Sequence, residues 1–133
     1  MSLNFPDVGE NLALGMIVNK TAPQDLVCKL FSNNITPSDT DTAATYTEAT
    51  FAGYAAINIP GANWNAPAAG SISYNAQITY TRSSTGAVEN IYGYYVIQSV
   101  SGILLYSERD AAAPAPITSS GDNIKFTPQI GAN

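Results

Sequence analysis

The chain has 133 residues, of which 45% are hydrophobic and only 11% charged, with a net charge of −5 and no histidine. That length supports a packed core without disulfides or metal. The five positive residues, Lys20, Lys29, Arg82, Arg109 and Lys125, are scattered, so the sequence has no basic patch for nucleic acid or an anionic membrane.

Ser, Thr and Asn occupy most polar positions. This palette suits strands and turns better than solvated helix faces, and the predicted fold class is all-β. The opening residues lack a basic segment followed by an apolar core, which predicts a chain made and kept in a cytoplasm.

Residues 1–11 read as an extended arm, because Phe5-Pro6 interrupts a regular ladder and Gly9 and Asn11 favour turns. Leu12, Leu14, Met16 and Val18 are in phase at a period of two, predicting a first strand over 12–18. A second follows over 26–31 and contains Cys28, read as a small buried apolar residue. Residues 32–46, rich in Asn, Ser, Thr and Asp with Pro37, form a loop. Residues 47–51 give a short turn or strand, and 55–59 a strand of small residues that Pro60-Gly61 ends.

The loop 60–70 carries the only tryptophan, Trp64. Residues 71–82 alternate most clearly, with Ile72, Tyr74, Ala76, Ile78 and Tyr80 on one side and polar residues on the other. Further strands are predicted over 91–98, 103–107 and 123–127, the last with Ile124 and Phe126 inward. The strands at 71–82, 91–98 and 103–107 would form an antiparallel meander. Seven to nine short strands with turns between them predict a single-domain antiparallel β-sandwich over 12–133, with a jelly roll among its topologies.

Residues 91–98 raise the sharpest question, since Ile91, Tyr95 and Ile97 lie on one side and Tyr92, Tyr94 and Val96 on the other. Both sides are apolar, so something must cover each. Either the tyrosines cover neighbouring strands with their hydroxyls in water, or an outer aromatic strip meets another protein.

Chemistry is sparse. Without histidine the commonest general base and zinc ligand are missing, and a single cysteine supplies neither a zinc site nor a disulfide. No nucleotide-binding glycine motif occurs. The carboxylate groups Asp39, Asp41 and Glu48, and Glu108 with Asp110, are the only catalytic candidates, and acids in such loops are usually solvated. An EF-hand counted from Asp39 fails at Ala43, Ala44 and Thr50. The expectation is therefore a protein that is not an enzyme and has no cofactor or metal. Trp64, flanked by Asn63 and Asn65, reads as a plug at one end of the sandwich, or else as a stacking platform for a sugar or a protein.

Two stretches, "LFSNNITPSDTDTAATYTEATFAGYAAINI" at 30–59 and "IYGYYVIQSVSGILLYSERDAAAPAPITSSGDNIKFTPQ" at 91–129, carry a resemblance. The pattern lies in Leu30, Phe31, Asn33, Glu48, Ala49, Phe51, Gly53, Tyr54, Tyr92, Gly93, Tyr94, Gly121 and Asp122. It is similar to a group of small tailed-phage virion structural proteins, over about half the chain. The resemblance implies a capsid cement or decoration protein on the outer surface of the virion capsid, partnered with the major capsid protein and often trimeric, with no catalytic residues. A tail or head–tail component, or a carbohydrate-binding sandwich module, is the alternative. Phe5, Trp64, Tyr92 and Tyr94 are the candidate protein contacts, with the arm able to reach a neighbouring subunit.

Overall fold

The structure, a computed structural model, describes residues 3–131; Met1 and Ser2, the start of the predicted arm, lie outside it. Eleven strands and one α-helix occur among these residues: β1 (Leu3–Asn4), α1 (Asp7–Ile17), β2 (Leu26–Phe31), β3 (Ile57–Ile59), β4 (Ser71–Ser73), β5 (Ile78–Thr81), β6 (Glu89–Ile91), β7 (Gly93–Gln98), β8 (Leu104–Arg109), β9 (Ala115–Ile117), β10 (Asn123–Phe126) and β11 (Gln129–Gly131). The predominantly antiparallel, sandwich-like all-β class follows the sequence expectation.

One layer is a five-stranded sheet in the order β1-β8-β7-β2-β3. Opposite it lie two-stranded ribbons rather than one continuous sheet. β10 pairs with β5 and β11 with β4, so residues 71–81 and 123–131 make one interrupted ribbon, bent where the Tyr74 N–H donates to the Pro128 carbonyl. β6 pairs with β9. The main core fills the space between the layers, with Cys28, Leu30, Tyr94, Val96 and Tyr106 from the sheet meeting Tyr74, Ile78, Tyr80 and Ile117 from the ribbons. The Tyr80 hydroxyl crosses this core and donates to the Cys28 carbonyl at 2.8 Å.

Within the sheet, sequence expectations fail at two places. The predicted meander does not form: β7 sits between β8 and β2, while β5 belongs to the opposite layer. The predicted strand at 91–98 is also two strands. At Tyr92 the chain passes from β6 in the ribbons to β7 in the sheet, and the Tyr92 N–H and carbonyl bond to Phe31 and Asp110. Gly93 follows at the corner, where a Cβ would meet the Glu108 carbonyl oxygen at 2.1 Å. Only glycine fits so close an approach.

The larger correction is at the start of the chain. Instead of an arm and a strand, Leu3–Asn4 pairs with β8 and residues Asp7–Ile17 form a helix. Pro6 precedes it in extended geometry, and Asp7 and Glu10 lie in the first turn, where the helix dipole favours negative charge. Leu12 enters the main core, and Val8 packs on the opposite face of the sheet. A register shift between Val96 and Ile97 leaves Leu105 as an extra residue, so that adjacent Leu105 and Tyr106 both enter the main core while Leu104 turns to the other face.

The second face of β7 is covered from within. Phe31, Tyr46, Tyr95 and Leu104 form a smaller cluster there, with Val8, Ile35, Ala43 and Ile97 packed around it. The polar-looking loop 32–46 supplies Tyr46, which lies 4.9 Å from Tyr95 and 4.9 Å from Phe31. Loop and helix together supply the cover that one of the two sequence readings assigned to an outer partner.

Candidate functional site

Four side chains were expected at a protein contact. Tyr94 is 7% exposed, stacks on Phe126 at 4.2 Å and donates its hydroxyl to Glu108 Oε2 at 3.1 Å. It is a core residue, which corrects the expectation of an outward contact. Tyr92 is half-buried under the Arg109 guanidinium, 5.2 Å from the ring centroid, in cation–π geometry. The same guanidinium donates to the Ile35 carbonyl and to Asn34 Oδ1, fastening loop 32–46.

Phe5 and Trp64 are also half-buried but reach the surface. Phe5 rests on Tyr106, with ring centroids 5.6 Å apart. Trp64 meets Tyr74 edge-on and donates its indole N–H to the Ile59 carbonyl at 3.2 Å. Its neighbours are engaged inside the chain, Asn63 with the Tyr74 hydroxyl and Asn65 with Ser73. These polar contacts of residues 63–65 all lie within the chain.

The acidic candidates are not gathered. Asp41 accepts from the Ser38 N–H and hydroxyl and from the Tyr46 hydroxyl, all within 2.9 Å. Glu48 pairs with Lys29 at 3.0 Å and accepts from the Tyr54 hydroxyl. These bonds order the loop. Among the described residues no three acidic or cysteine side chains come together in a group able to hold a metal.

What the structure does bring together is an apolar surface on α1 that sequence reasoning missed. Leu14, Ile17 and Val18 are 60, 78 and 70% exposed. They lie off the buried positions of the helix and are left uncovered by the described residues. Beside them runs a groove made of three adjoining cavities of about 310, 670 and 290 Å³. Leu3, Glu108 and Gln129 line the first. Phe5, Leu14, Met16 and Ile130 line the middle. Met16 and Ile130 continue into the last, which ends at Leu26 and Trp64. Thus Phe5 and Trp64 do share a surface, whereas Tyr92 does not line it and Tyr94 only contributes to its floor.

The groove has an acidic end. Glu108 is half-buried there, and burial, the largest effect, raises its carboxyl above the usual range although the Tyr94 hydrogen bond opposes this. Glu10 is exposed along the middle portion. No lysine or arginine lines any of the three cavities. Contiguous exposed apolar surface on a small domain usually marks a contact site, and its hydrophobic centre resembles the core of protein interfaces. No family model matches the chain, and no curated protein matches it.

Proposed function

We propose that this protein is a virion structural protein, a capsid cement protein that binds the assembled shell of a tailed phage as a homo-oligomer. The observation that carries the reading is the uncovered apolar face of Leu14, Ile17 and Val18 beside a groove reaching Phe5 and Trp64. The resemblance at 30–59 and 91–129 supplies the identity of the partner, the major capsid protein. The mechanism is mass action: a protein that binds the assembled shell and not its separate subunits favours the shell in proportion to the logarithm of its concentration over the dissociation constant. Burial of the apolar face provides the affinity.

Mass spectrometry and electron microscopy of virions of the encoding phage test this. The reading expects the chain in purified particles, on the outer capsid, and the purified protein bound to expanded capsids. Absence from particles, or failure to bind expanded capsids, overturns it. Density on the tail instead makes it a tail component.

A further inference from the structure

Among the described residues β1 pairs only with β8, and β11 only with β4, so each has one edge without a strand partner there. Leu3 of β1 and Gln129 of β11 line the same cavity, and Ile130 carries the wall onward along α1. A free strand edge offers a row of unpaired backbone donors and acceptors, the template used in strand addition. Apolar pockets beside such an edge receive alternate side chains of the added strand. At the far end the groove reaches Gln98, 1% exposed, whose Nε2 has no hydrogen-bond partner within the described residues.

We propose that the groove binds an extended segment of a partner protein, laid along β11, apolar at alternate positions and carrying a lysine or arginine. Complementarity sets the charge: Glu108 and Glu10 lie on the groove, no lysine or arginine among the described residues lines it, and the chain as a whole carries −5. A like-charged segment would be repelled and an acidic rim speeds capture of a basic one. Alternate apolar side chains enter the cavities at Leu3, at Met16 with Ile130, and at Trp64. This deepens the cement reading by naming what the capsid partner inserts, and it rests on that reading.

A random library of twelve-residue peptides displayed on phage and selected on the full chain tests the proposal. Enriched peptides are expected to alternate apolar residues and to contain lysine or arginine. Their affinity should fall about tenfold with Leu14→Asp, a substitution at an exposed position for which circular dichroism is expected to show an intact fold. Glu108→Gln with Glu10→Gln should weaken binding severalfold and abolish the preference for basic residues. No enrichment, enriched peptides without the alternation or the basic residue, or binding indifferent to these substitutions overturns the proposal. Sedimentation showing an oligomer that Leu14→Asp dissolves also overturns it, because a second copy then occupies the face. Capsid binding that survives all three substitutions would defeat the groove and leave the cement reading standing; peptide binding without capsid binding would do the reverse.

Discussion

Tyr46 lies flat on Tyr95, with ring centroids 4.9 Å apart and planes 16° from parallel, and this contact seals the second face of the central strand β7. The Tyr46 hydroxyl then donates to Asp41 Oδ2 at 2.7 Å and lies 2.7 Å from Ser107 Oγ on β8. One side chain thus joins a long polar loop to the sheet through both its ring and its oxygen. Stacking of this kind is worth about 0.5–1.5 kcal/mol beyond area burial.

Tyr46→Phe separates the two contributions. The ring stays, but buried Asp41 and Ser107 each lose a partner, and an unsatisfied buried polar group costs about 1–3 kcal/mol. Urea unfolding is expected to show a lower midpoint by that amount with an unchanged slope. Tyr46→Ala should cost more, about 3–5 kcal/mol, as for other large aromatic deletions.

Gly9→Ala sets two effects against each other. In a helix interior alanine is favoured over glycine by about 1 kcal/mol. Here the added Cβ would lie 2.0 Å from the Leu105 carbonyl oxygen, a backbone atom with little room to move. Overpacking of this type costs about 1–3 kcal/mol, so the net change is expected to be destabilising. A higher denaturation midpoint for the variant would mean that α1 does not dock on β8 as described.

Tyr54→Phe probes the residues that carry the phage resemblance. The Tyr54 hydroxyl accepts from the Leu30 N–H and donates to Glu48, both at 3.1 Å, where β3 has ended and the Glu48–Ala49 segment bridges to that edge of β2. Its loss is expected to cost about 1–3 kcal/mol. Glu48→Gln should cost under about 1 kcal/mol, because the Lys29–Glu48 pair is partly exposed. Denaturant midpoints of the two variants give the comparison.

Alkaline stability follows from the buried phenols. Burial is the leading cause that raises Tyr46, Tyr54, Tyr80, Tyr94, Tyr95 and Tyr106, with Tyr95 pushed up to about 12, and it also raises the Cys28 thiol to about 12. The unfolded chain loses these protons first, near pH 9 to 10, so their contribution to stability is complete below that range and falls as pH rises toward 12. Absorbance at 295 nm and circular dichroism are expected to change together in one cooperative alkaline transition. Gradual ionisation of these tyrosines with the fold intact would contradict their burial.

Much of the sheet was legible in the sequence because its signal is local. The alternation at 71–82 places Tyr74, Ile78 and Tyr80 inward as expected, and Ile124 and Phe126 pack against the main core. The doubly apolar character of residues 91–98 is equally plain in the burial of Tyr94, Tyr95 and Val96. What covers the second face was not legible, because the cover comes from Tyr46 in a loop of polar composition and from Val8.

The helix was missed for a physical reason. Gly9 and Gly15 are poor helix formers, yet Gly9 is required by the close approach to β8. Leu12, Leu14, Met16 and Val18 also satisfy a period of two, which hides the helical spacing of Val8, Leu12 and Met16. Pro6 followed by Asp7 and Glu10 was the available start signal. Reading residues 12–18 as a strand put Leu14 inside, and so concealed the exposed face on which the functional reading depends. The residues that carry the resemblance sit mostly in the framework: Asn33 bonds to Thr45 and Thr47, and Asp122 caps the N–H groups of Thr118 and Ser119.

Hydrogen exchange of the protein, free and bound to purified expanded capsids, addresses the central claim most directly. Slower exchange on the capsid is expected in residues 14–18 of α1 and in β11, with the loop 32–46 unchanged. Full binding with those two segments exchanging as fast as in the free protein would contradict the claim that this apolar face makes the contact.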